Sequence, residues 1–95
     1  MEAKAMTEEL NECLSVSPDP LPAGGTATIT IEAGHPGPWP ITCTISKVGQ
    51  PSQTVLITKQ DDGSGEGTWD VDVDWSSAIF TVPGCESVGV IIIQP

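Results

Sequence analysis

The stretch WDVDVDW, Trp69 to Trp75, alternates apolar and acidic residues without a break. Such alternation predicts a strand, because successive side chains on a strand point to opposite faces. Trp69, Val71, Val73 and Trp75 then share one face, and Asp70, Asp72 and Asp74 share the other. Two indoles and two valines make the first a core face, so the second becomes an acidic outer face. The spacing argues against a cation site here: same-face carboxylates on a strand stand ~7 Å apart, whereas calcium needs its ligand oxygens at about 2.3–2.6 Å. The order of aspartates mimics the start of an EF-hand loop, but the loop glycine and the distal glutamate are missing.

Outward from this strand the same period of two recurs. Leu14 and Val16 alternate with serines, TATITIE puts Ala27, Ile29 and Ile31 on one face, and ITCTISKV does so with Ile41, Cys43 and Ile45. QTVLITK, AIFTV and VGVIIIQ complete the set, separated by PDPLPAGG, AGHPGPWP, DDGSGEG and PGCES. Prolines cannot join a central ladder and glycines reach positive φ, so these separators read as turns. About seven short strands with almost no helix predict an all-β, two-sheet antiparallel sandwich over residues 13–95. Ahead of it, residues 1–12 form an arm or short helix, with Met6, Leu10 and Leu14 at helical spacing and Thr7 as a cap.

The segment LSVSPDPLPAGGTATITIEA resembles the first two strands of bacterial and phage immunoglobulin-like modules. In those modules a Val-Ser-Pro strand, a Pro-Ala-Gly-Gly turn and a Thr/Ile-alternating strand occur together. The resemblance covers about twenty residues and implies an immunoglobulin-like fold; it says nothing of function. The chain departs from the antibody pattern, with no cysteine on the second strand and Trp39 ahead of Cys43, so an inter-sheet disulfide of that kind is not expected.

Ninety-five residues make one domain. Thirteen acids against three lysines give a net charge of −10, and residues 61–95 hold no base at all. That balance argues against nucleic acid and anionic membranes as partners. The longest apolar run, Val88 to Ile93, is far short of the twenty or so residues that span a bilayer. MEAKAMTEELNEC has no basic-then-apolar signal pattern and reads as a cytosolic translation start, unless a signal has been replaced by an added Met. Three cysteines in a reducing compartment predict three free, mostly buried thiols. Cys43 alternates into the core, whereas Cys85, in the turn PGCE, reads as exposed.

The inventory for catalysis is thin. His35 is the one histidine, Cys43 is buried, and Glu86 beside Cys85 raises rather than lowers a thiol pKa, so no enzyme and no cofactor are expected. Cys13, Cys43, Cys85 and His35 are too scattered for zinc. The weak candidate for a cation is the loop carrying Asp61, Asp62 and Glu66. With Trp69 and Trp75 inward, Trp39 is the one ring left for a sugar, and its bland reading is a lid on the core.

The last strand asks for a partner. Val88, Val90 and Ile92 fill the core, which leaves Ile91 and Ile93 outside where other strands place Thr or Asp. Such a strand is an aggregation hazard if bare, and either the N-terminal segment, through Met6 and Leu10, or another protein covers it. Three functions follow. The first is a phage virion accessory, such as a capsid decoration protein, made in the host cytoplasm and anchored through its termini to a shell protein or to sister copies as a homo-oligomer. The second is an immunoglobulin-like spacer or adhesion module of a bacterial surface or secreted protein, and the third a calcium- or carbohydrate-binding module.

Overall fold

The structure, a computed structural model, describes residues 12–94. Eight strands follow in order: β1 (Leu14–Ser17), β2 (Leu21–Pro22), β3 (Thr26–Ile31), β4 (Ile41–Ser46), β5 (Gln53–Lys59), β6 (Gly65–Asp70), β7 (Ser77–Thr81) and β8 (Val88–Ile93). They are hydrogen-bonded in the order β1-β3-β6-β5-β4-β7-β8-β2. All pairs are antiparallel except β2 with β8, which is parallel. The first and last strands of that order are consecutive in sequence, so the sheet curls back on itself. The domain is all-β as expected, but it is one nearly closed, mixed, barrel-like sheet of eight strands rather than two antiparallel sheets of about seven.

Two segments account for the difference. β5 pairs with β4 from Ile41↔Ile57 to Ile45↔Gln53, and its last residues then pair with β6 through Thr58↔Glu66 and Lys59↔Gly65. One strand thus belongs to both halves. The second is PDPLP, expected as a turn only: Leu21 and Pro22 pair with Ile92 and Ile93, and Ala23 N–H donates to the Ile93 carbonyl at 2.9 Å. Proline is tolerated because it sits at the margin of the sheet, where no partner needs its missing donor. Residues 1–11, which carry Met6 and Leu10 of the expected arm, lie outside the described residues, and Glu12 is an exposed residue ahead of β1.

Alternation fills the interior. Ala27, Ile29, Ile31, Cys43, Ile45, Ile57 and Phe80 are fully buried, and no charged side chain is buried among the described residues. β6 supplies bulk only through Trp69, since Gly65 and Gly67 take its other two inward positions. A Cβ on Gly65 would meet the Trp39 ring at 2.6 Å and Ile57 Cγ2 at 2.8 Å. The bare backbone there admits the side chains of a strand that is leaving one half of the sheet for the other. Trp39 is half-buried against the core, as its reading as a lid expects.

The opening stretch holds as a strand only to Asp70. Val71 stays in register through bonds with the Gly24–Gly25 backbone, and a turn then begins at Asp72. The Asp72 carboxylate accepts from Asp74 N–H at 2.9 Å, and its carbonyl accepts from Trp75 N–H at 3.3 Å. Aspartate favours this local closure over continued strand pairing. The turn shifts the alternation, so Trp69, Val71 and Trp75 are buried while Val73, expected in the core, is 60% exposed. Trp69 packs on Trp75 at 5.5 Å and edge-on to Phe80 at 5.7 Å between ring centroids.

Gly65→Ala is expected to cost about 1–3 kcal/mol, because both Trp39 and Ile57 must move. A melting temperature equal to the parent's would show that the ring has free space there.

Candidate functional site

Three regions hold the residues that the sequence singles out. The first is the acidic stretch. Asp70 is exposed on the outer side of β6, Asp72 is half-buried, and Asp74 is exposed on the turn. They do not share one face as expected, because the turn at Asp72 ends the strand. Asp72 serves the domain internally, since its carboxylate accepts from Gln53 Nε2 at 3.3 Å, and Gln53 Oε1 accepts from the Trp69 indole N–H at 2.9 Å. A buried indole donor is thereby satisfied.

The loop before β6 is the second. Asp62 Oδ1 accepts from Ser64 Oγ at 2.6 Å and from Ser64 N–H at 2.9 Å, which closes the β5–β6 turn. These two bonds, the hydroxyl's first, hold the Asp62 carboxyl below its ordinary range. Among the described residues no three His, Cys, Asp or Glu side chains converge on a metal position, so Asp61, Asp62 and Glu66 are not brought together as a cation site.

The third region is the end of the barrel where Cys13 and Cys85 form a disulfide, with Cα atoms 5.4 Å apart and a sequence separation of 72. Two of the three thiols expected to be free are therefore bonded, and Cys85, expected to be exposed in its turn, is buried. Cys43 alone is free, buried between β5 and β7, and burial pushes its thiol up to about 11. No residue pattern marked the bond, since cysteines so far apart in sequence meet only once β1 and the β7–β8 turn lie side by side. By loop entropy a closure of this length stabilises the fold by about 4 kcal/mol.

Around the disulfide lies an open cleft of about 690 Å³, lined by Glu12, Glu32, His35, Pro83 and Gly84 among others. His35 Nδ1 accepts from Gly37 N–H at 3.0 Å, which leaves Nε2 to donate to the Pro83 carbonyl at 2.7 Å. With both ring nitrogens engaged, the histidine acts as a strut from the β3–β4 loop to the β7–β8 turn. Glu32 N–H donates to the Cys13 carbonyl at 2.9 Å. Three segments are thus pinned together at this end by three ties, two of them hydrogen bonds and the third the disulfide.

A feature that alternation alone does not reveal is the outer face of β5-β4-β7-β8. Thr54, Leu56 and Thr58, Thr42, Thr44 and Ser46, Ser77, Ile79 and Thr81, and Gly89, Ile91 and Ile93 point outward there, and none is charged. All the acids of the described residues lie elsewhere. Ile91 and Ile93 fall outside as expected, at 63% and 53% exposure. β7 pairs along one side of β8, and on the other side β2 pairs only with its end, at Ile92 and Ile93. Four strands ~4.8 Å apart and about five residues long give a face of ~300–400 Å². That is about half of what each partner of a stable complex buries, so the face suits a weak or repeated contact. Each strand's pattern contains its own part of this face; only the strand order brings the four parts together.

Compared with protein-family models, with curated proteins and with solved structures, the chain finds no match.

The Asp62 contacts favour the folded state when the carboxylate is charged, so their contribution is present at neutral pH and lost as pH falls through the carboxylate range. Asp62→Ala is therefore expected to melt below the parent at pH 7, and the gap to close in acid. A gap independent of pH would show that the turn does not use the charge.

Proposed function

We propose that the domain is a non-enzymatic structural module displayed at a surface in contact with oxidising medium, a spacer or adhesion unit of a larger assembly. The observation that carries this reading is the Cys13–Cys85 disulfide. Disulfides persist outside the cytosol and at virion and cell surfaces, whereas a reducing compartment keeps thiols open. The resemblance of residues 14–33 to immunoglobulin-like modules of bacteria and phages supports the same reading. The histidine engaged at both nitrogens and the bonded cysteines favour a structural part over a catalytic one.

A second reading, a capsid-decorating accessory on a phage head, is favoured by the uncharged face with Ile79, Ile91 and Ile93. On a protein of net charge −10 that face is where a shell protein or a sister copy approaches with least repulsion. The partner in either reading is a protein. Calcium binding loses ground because its candidate carboxylates do not converge, and sugar binding because Trp39 is half-buried.

Protein isolated from its native source under alkylating conditions tests the first reading. One modified cysteine per chain is expected after denaturation, with Cys43 shielded while the fold is intact; three modified cysteines would refute surface display. For the second, Ile91→Asp with Ile93→Asp is expected to change stability by no more than about 1 kcal/mol, about 0.5 for each exposed site. The same pair should abolish attachment or self-association measured by light scattering. Unchanged association would remove the face from consideration.

A further inference from the structure

The disulfide and the last strand lie in series between the two ends of the described segment. Cys13 stands one residue ahead of β1, and Cys85 three residues ahead of β8. From that bond the two segments run side by side in the same direction. The bonded pair is offset by 72 positions, and Leu21↔Ile92 and Pro22↔Ile93 keep the alignment to within one residue. Glu12 consequently leaves the barrel at the disulfide end and Gln94 at the opposite end.

We infer that the domain is an inextensible link under tension, in which the disulfide carries the pull past the barrel. The inference deepens the spacer reading above and rests on it for the load's source. A pull between Glu12 and Gln94 passes from Cys13 through the two sulfurs to Cys85, and then along β8 to Gln94. Residues 14–84 lie off that path. They feel no stretching force even if every hydrogen bond of β1 and β2 is broken.

The path is close to taut already. β8 is extended at ~3.3 Å per residue, and the nine peptide steps from Cys85 to Gln94 reach only about 30–32 Å when drawn straight. Stripping β8 from β2 and β7 therefore lengthens the domain by on the order of 10 Å at most. With the disulfide opened, the 72 peptide steps from Cys13 to Cys85 join the path and add about 240–260 Å. A non-covalent clamp yields by shearing strands, whereas here the first element in the load path is a covalent bond.

Single-molecule stretching of the full chain, held by its two termini between marker domains, tests the inference. The oxidised chain is expected to give no unfolding step longer than about 10 Å. After reduction by a dithiol, which converts the cystine to two thiols and becomes a cyclic disulfide itself, a step of about 240–260 Å is expected. The Cys13→Ser, Cys85→Ser double variant is expected to reach the same extra length of about 240–260 Å without reductant, and a variant that stays as short as the oxidised parent would overturn the inference. A long step from oxidised parent protein would overturn the inference, and so would a short step after complete reduction. The native-source thiol count fails independently: three thiols there would remove surface display while leaving the load path of the oxidised chain as measured.

Discussion

Closure of the barrel depends on the division of one short segment, Leu14 to Pro22, between the two ends of the sheet. β1 pairs with β3 and, a few residues later, β2 pairs with β8. Each strand is too short to be stable by itself. Together they line the β3 margin of the sheet and the end of the β8 margin, and the disulfide holds their starting point against the turn that leads into β8. Without them, β3 and β8 would each present a row of unpaired donors and acceptors to solvent, the template that other chains pair with. The seam is therefore where the fold needs reinforcement, and the covalent bond lies at one end of it.

The interior follows from the same arrangement. A sheet that curls to meet itself must let one strand pass from one half to the other, and β5 does so over the glycines of β6. Ile57 and Trp39 occupy the space that ordinary side chains on Gly65 and Gly67 would fill. On the other flank, Trp69, Trp75 and Phe80 form an aromatic cluster in which the Trp69 indole N–H donates to Gln53, whose own amide is held by Asp72. An acidic residue that looked like part of an outward stripe is instead a fixed element of the core's margin.

What the sequence made legible was set by local physics. Alternation located seven of the eight strands and assigned the inward positions of β1, β3, β4 and β8, because a period of two survives whatever the strand pairs with. Alternation failed at Val73, where the turn closed by Asp72 outweighed it, and at Leu21–Pro22, where a prolyl residue at a margin looked like a turn. The disulfide and the uncharged face were not legible, since both arise from strands distant in sequence becoming neighbours. The candidate site was legible at Ile91 and Ile93 only, whose outward direction depends on their own strand alone.

The span of the disulfide has one more consequence, for a protein exposed to proteases. Cys13 and Cys85 enclose every turn from Pro18 to Gly84, including the loop at 61–64 and the Gly/Pro loop at 34–40. A single cut at any of them leaves two fragments still joined through sulfur and still paired along the sheet. The domain can be nicked at any turn between Cys13 and Cys85 without shedding a piece.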